Sequence, residues 1–179
     1  MAITDSGFQF KYNLAGRTSG IQKSFPITGS ETITVGDAIM VTDGAAIVSG
    51  ASSWIMGIVV GLTDEFGIDM DNSKVTKDGT YTASTKTYAA ASDNTTDKKF
   101  QVVVDIDPMS VYSAQPDAAI GTTNDSDKPG SFCDVIAASD QPDEDNTDDT
   151  IGMLLIWGTD PENTAHGLYS IAEHQIWAG

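Results

Sequence analysis

The stretch Ala38-Ile39-Met40-Val41-Thr42-Asp43-Gly44-Ala45-Ala46-Ile47-Val48 decides the fold. Two short apolar runs flank Asp-Gly, the pair that accepts the two positive φ angles of a type I′ turn, so the segment predicts a β-hairpin. Just downstream, Trp54-Ile55-Met56-Gly57-Ile58-Val59-Val60-Gly61-Leu62 is an almost unbroken apolar run. It is too continuous for a strand with one wet face and too rich in glycine for a helix. It predicts a strand at the centre of a barrel.

Upstream, Phe8, Phe10, Tyr12 and Leu14 alternate with Gln9, Lys11 and Asn13, the period of a strand with one apolar face. Gly16, Gly20 and Gly29 interrupt the pattern and Pro26 follows Phe25. Residues 1–30 therefore read as an extended N-terminal arm. Its aromatic face needs a partner, either its own sheet or, as favoured here, a neighbouring subunit. Downstream, residues 63–96 form a polar excursion with a short strand at Gly79–Ala83 and an ambiguous one at Thr87–Ala91. Further strands are expected at Phe100–Ile106, Ser110–Ser113, Phe132–Ala137, Ile151–Trp157 and Gly167–Trp177. No segment carries a helical period. The fold class is all-β: a small β-barrel or β-sandwich, residues 31–179, with an extended arm and long loops.

Composition agrees. Asp outnumbers Glu 21 to 5 and there are only five Leu, which disfavours helix, while the seventeen Gly favour turns. All nine Lys and Arg lie at or before Lys128, whereas residues 129–179 hold ten acidic groups and no Lys or Arg. The first thirty residues carry Lys11, Arg17 and Lys23 against Asp5 alone. A net charge of −17 argues against binding to a phosphate backbone, which needs clustered cations, and against an anionic membrane surface. No apolar run approaches the roughly 18–20 residues of a membrane span, and the opening residues have no leader pattern, so a soluble protein made in the cytoplasm is expected.

Candidate chemistry is sparse. Cys133 is the single cysteine, so no intrachain disulfide can form, and its strand-like setting predicts a buried thiol. The acidic loop at 139–149 packs six carboxylates into Asp140–Asp149 and must be exposed. Neither it nor Asp69–Ser73 has the Gly and Glu spacing of an EF-hand, so a solvated loop is expected rather than a calcium site. His166 and His174 are too few for a structural zinc site, and His174 is expected to pack or hydrogen-bond at a barrel end. Serines and aspartates abound, but no nucleophile elbow gives a Ser-His-Asp set a context, and no glycine-rich phosphate loop is present. No catalytic residue, metal ligand or cofactor is assigned.

The order of segments carries a resemblance. Phe10-Lys11-Tyr12-Asn13-Leu14-Ala15-Gly16 leads to Ser24-Phe25-Pro26-Ile27, then to Val35-Gly36-Asp37-Ala38-Ile39-Met40-Val41 and Ile55-Met56-Gly57-Ile58-Val59-Val60-Gly61. With Val103, Asp105, Asp107-Pro108, Val111-Tyr112 and the terminal Ile171-Ala172-Glu173-His174-Gln175, the chain resembles the capsid decoration (cement) proteins of tailed bacteriophages. The resemblance implies a structural virion protein on the capsid exterior, often a homotrimer, clamping neighbouring copies of the major capsid protein. The excursion at 63–96 and the acidic loop are not parts of that pattern. The arm residues Phe8, Phe10, Lys11, Tyr12, Arg17 and Phe25 are the expected partner contacts. Two other classes remain: a different virion component (head fibre, tail or glycan-binding adhesin, using Trp54, Trp157 or Trp177), and a polysaccharide hydrolase using two Asp.

Overall fold

The computed structural model describes residues 7–50, 54–91, 99–117, 120, 128–135, 141–143 and 154–172. Among them the chain is all-β, with antiparallel sheets and no helix. In chain order the strands are β1 (Gln9–Asn13), β2 (Gln22–Pro26), β3 (Thr32–Thr34), β4 (Ala38–Thr42), β5 (Ala45–Val48), β6 (Gly57–Asp64) and β7 (Thr80–Thr82). They continue as β8 (Thr87–Ala89), β9 (Phe100–Asp105), β10 (Ser110–Ala114), β11 (Phe132–Val135), β12 (Pro142–Asp143), β13 (Leu154–Thr159) and β14 (Gly167–Ile171).

A six-stranded sheet runs β1-β10-β14-β13-β11-β12, a five-stranded sheet runs β2-β9-β6-β4-β5, and a three-stranded sheet runs β3-β8-β7. The deciding hairpin forms as its residues dictate: Asp43 and Gly44 have φ of 52° and 79°, and β4 pairs β5 from Thr42–Ala45 outward to Ile39–Val48. The apolar run becomes β6, held between β4 and β9 at the middle of the five-stranded sheet. It begins later than expected, at Gly57, and extends to Asp64.

The arrangement is sandwich-like, and no barrel closes among the described residues. The five-stranded sheet curls until its two edges touch at one parallel bridge, Ile27–Ala46, where the Thr28 N–H donates to the Ala46 carbonyl at 3.1 Å. Curling follows from the right-handed twist of adjacent strands, sharpened by the bulge between Val59 and Gly61 in β6.

Two hydrophobic clusters result. Phe8, Tyr112, Leu154, Ile156 and Tyr169 of the six-stranded sheet pack with Ala38, Ile55 and Ile58. Phe25, Ile27, Ile39, Val59, Phe100 and Val102 fill the inside of the curled sheet, covered by Ile33, Met70 and Tyr88. The period of two along β4 and β6 divides neighbours between clusters: Ala38 and Ile58 face one, Ile39 and Val59 the other. The described part of the 63–96 excursion is thus a cover over the second cluster, because Met70 and Tyr88 find apolar surface there.

The described part of the extended arm takes the first of its two expected partners, its own sheets, rather than the favoured neighbouring subunit. Its described residues are two edge strands of the body: β1 pairs β10, and β2 pairs β9 along its whole length. Strand alternation turns Phe8 and Phe10 towards Tyr112, leaving them buried and half-buried, and Phe25 enters the second cluster. Burial within the subunit satisfies these aromatics without any neighbour.

Candidate functional site

The six nominated residues separate into two groups. Phe8 is 4% exposed and meets Tyr112 and Tyr169 edge-on, with ring centroids 6.4 and 6.2 Å away. Phe10 packs against the same cluster and Phe25 is buried, with Lys23 Nζ 5.2 Å above its ring. These three hold the fold. Tyr12 and Arg17 lie at the surface, where β1 and the loop after it meet the turn between β9 and β10, whereas Lys11 is half-buried against Asp160 and Glu162 in the segment after β13. The structure adds Leu14, Ile21 and Met109, all exposed. The Leu14 N–H donates to the Met109 carbonyl at 2.8 Å, and the Ile106 N–H donates to the Ile21 carbonyl at 2.7 Å, so these segments are stitched together. Tyr12, Leu14, Ile21 and Met109 are therefore exposed apolar side chains on adjoining, anchored backbone.

Two polar groups, each centred on a buried carboxylate, do the anchoring. In the first, Lys11 Nζ pairs with Asp160 at 2.9 Å and Glu162 at 3.0 Å. Asp160 also accepts the Ser113 hydroxyl at 2.6 Å and the Glu162 amide at 2.9 Å, and Ser113 Oγ lies 3.2 Å from His166 Nδ1. Burial alone would raise the Asp160 carboxyl, but the hydroxyl, the amide and Lys11 outweigh it and hold it down to about 2. The same contacts with Asp160 and then Glu162 raise Lys11.

Ser113, His166 and Asp160 are the residue types of a hydrolytic triad, wired in another order. The serine gives its proton to the carboxylate, leaving Oγ to accept from the imidazole Nδ1–H, so the ring cannot serve as its base there. All three are buried.

The low carboxyl of Asp160 sets a pH expectation. Its contribution, roughly 2 kcal/mol from the displacement below the ordinary value near 3.9, is complete above about pH 4 and lost as pH falls through about 2. Asp160→Asn should therefore be less stable than wild type by about that amount at pH 7, with the gap closing towards pH 2. Urea unfolding at a series of pH values checks this; a gap independent of pH contradicts it.

The second group centres on Asp107. Its Oδ2 accepts Arg17 at 2.7 Å and Asn13 Nδ2 at 2.9 Å, and its Oδ1 accepts the Met109 N–H at 3.0 Å. Burial opposes ionisation, yet these donors hold the carboxyl below its ordinary value. Asp105 accepts the Asp107 N–H at 3.0 Å and the Ser110 hydroxyl at 2.8 Å. Burial, with Asp105 nearby, pushes the Tyr112 hydroxyl far up. Donors thus occupy both carboxylates, and among the described residues no three His, Cys, Asp or Glu converge to hold a metal ion.

Elsewhere, Cys133 is buried in the first cluster, as its strand setting predicts, and His166 is buried in the Asp160 group. Trp54 and Trp157 are partly exposed, and the Trp157 indole N–H donates to Ser170 Oγ at 2.9 Å. His174, Trp177 and residues 139–140 and 144–149 of the acidic loop lie outside the described residues. Leu14 belongs to the alternating face that the sequence shows, but Ile21, Met109 and the exposed Phe66 are not singled out by it. The available signal was a single apolar residue set in a turn sequence, as in Glu65-Phe66-Gly67 and Pro108-Met109-Ser110.

No protein-family model, curated protein or solved structure matches the chain.

Proposed function

We propose that this chain is a structural virion protein that binds the outside of a tailed-phage head and stabilises contacts between major capsid subunits. The contact surface is the anchored face of Tyr12, Leu14, Ile21 and Met109, flanked by Lys11 and Arg17. The observation that carries this reading is the contrast within that face: apolar side chains stand in water while the backbone beside them is held by two ion-pair groups centred on the buried carboxylates of Asp107 and Asp160. A rigid apolar surface rimmed by charge suits a permanent partner, since little entropy is lost on docking. The segment order that resembles decoration proteins supplies the identity of the partner. Assembly as a homo-oligomer, with a trimer favoured, belongs to the same reading. The acidity of the chain fits a protein working beside packaged DNA without binding it.

The test is co-sedimentation with emptied capsids of the phage that encodes the chain. Tyr12→Ser with Leu14→Ser removes two partly exposed side chains worth about 2–3 kcal/mol of docking, or about 50-fold in affinity. Folding should survive, because neither belongs to a buried cluster. Unchanged pelleting by the double variant refutes the assignment of this face. A second reading, a glycan-binding virion module, is favoured only by Trp157, whose hydrogen-bonded indole presents a fixed half-exposed ring. Sugar binding that is lost in Trp157→Ala, with no pelleting on capsids, would establish it instead.

A further inference from the structure

The seam of the curled sheet carries a recess on its outer surface. Beside the Ile27–Ala46 bridge, strand alternation sends Phe25, Ile27, Ile39, Val41, Ala46 and Val48 into the second cluster. The residues between them point the other way. Pro26, Thr28, Thr42, Asp43, Ala45 and Ile47 accordingly line a cavity of about 350 Å³. A cavity of about 150 Å³ is enough to take a benzene ring, so an unbranched four-carbon chain fits here with its polar end. The walls are held in place by the backbone. The Thr28 N–H donates to the Ala46 carbonyl at 3.1 Å, the Glu31 N–H donates to the Thr28 carbonyl at 3.3 Å, and the Asp43-Gly44 turn closes the hairpin above them.

The lining divides into two kinds of surface. Pro26, Ala45 and Ile47 are aliphatic, and Ile47 is half-buried without belonging to either cluster. Thr28, Thr42 and Asp43 bring two hydroxyls and one carboxylate, three side chains that accept hydrogen bonds. An alkylammonium group is built to the same division, with an apolar stem and a tip carrying three donors. Charge agrees: among the described residues no ion pair involves Asp43, and the net charge of −17 draws cations to the chain. Asp43 is the single charged residue described in the lining, so the recess balances one ammonium. A diamine would leave its second charge unmatched, whereas a lysine side chain brings one.

We infer that this recess binds a lysine side chain of a partner protein, the stem lying against Pro26, Ala45 and Ile47 and the ammonium meeting Asp43 with Thr28 and Thr42. The site shares no residue with the proposed capsid-facing surface and stands independently of that function. Asp43 is exposed, so water and salt screen the charge pair. A single lysine therefore binds with a dissociation constant of the order of 1–10 mM. Within a larger interface such a contact fixes register and partner choice more than it adds affinity.

The test is a heteronuclear NMR titration of the full chain at low salt with lysine blocked at both its α-amino and carboxyl groups. The amide signals of Thr28, Asp43, Ala45 and Ile47 should shift and saturate together. The same probe acetylated on its ε-amino group keeps the stem without the charge and should bind about fivefold more weakly. Asp43→Asn should weaken the blocked lysine by about the same factor while keeping the hairpin, because Asn-Gly closes the same turn. Ile47→Thr removes apolar wall and should weaken it about threefold. If Ile47→Thr does not fold, Asp43→Asn and the acetylated probe decide. No saturation by about 50 mM probe, equal binding of the acetylated probe, or indifference to Asp43→Asn overturns the inference. Shifts spread over the acidic surface instead of the recess mark general counterion attraction and overturn it too. Tighter binding of a five-carbon diamine than of the blocked lysine assigns the recess to free diamines and overturns the lysine.

Discussion

Replacing Phe8 by alanine is expected to lower the free energy of unfolding by about 3–5 kcal/mol, the range for large aromatic truncations in a packed core. Phe8 is buried between two tyrosines, touching Tyr112 and Tyr169 with its edge or face, and both tyrosines are themselves fully buried. The cavity left behind cannot collapse easily. Tyr112 and Tyr169 are paired across β10 and β14, so their backbone positions are fixed by the sheet. For a domain whose whole stability is of the order of 5–15 kcal/mol, this is a large fraction. Urea unfolding read by circular dichroism measures it. A docking aromatic would behave differently: its removal would leave stability within about 0.5 kcal/mol and weaken binding only. The experiment therefore separates a Phe8 that holds the subunit together from one that reaches for another molecule.

The second large effect is expected at Gly57. A methyl group built on its α-carbon would overlap the backbone carbonyl of Asp105, and a backbone atom in a paired strand cannot swing aside. Gly57→Ala must therefore part β6 from β9 where Ile58 pairs with Asp105, or shift the start of β6 altogether. Overpacking commonly costs about 1–3 kcal/mol, and a clash with backbone should exceed that range. Loss of soluble protein, or a melting temperature lowered by 10 °C or more, is the expected result. Gly61 on the same strand is the control. A methyl there would sit 3.7 Å from Val103 Cβ, an ordinary contact, so Gly61→Ala should melt close to wild type. Equal tolerance at both positions would mean that β6 and β9 are not packed as described.

The local features were legible because local chemistry determines them. Asp43-Gly44 can close only a tight hairpin, and the strands from β4 to β10 fall where alternation and turn residues put them. The centre of the five-stranded sheet was likewise visible in the apolar run ending at Leu62. What the pattern could not supply was the partner of each apolar face. Phe8 reads as half of a strand face, but the tyrosines that cover it lie far along the chain, and alternation is blind to them. The same blindness turned Phe10 and Phe25 into docking candidates. Lys11 and Arg17 read as partner contacts because the carboxylates that hold them, Asp160 and Asp107, sit among many interchangeable aspartates. The candidate face emerged from the fold, since Leu14 and Met109 become neighbours only when β1 meets the β9–β10 turn.

The sharing of β4 and β6 between two clusters governs how the molecule comes apart. Ala38 and Ile39 are adjacent in sequence yet anchor opposite interiors, as do Ile58 and Val59. Neither interior can melt while the other keeps these strands in register, so heating should dismantle both in one cooperative event. Calorimetric and van't Hoff enthalpies then coincide, and no half-melted species accumulates to expose sticky edges.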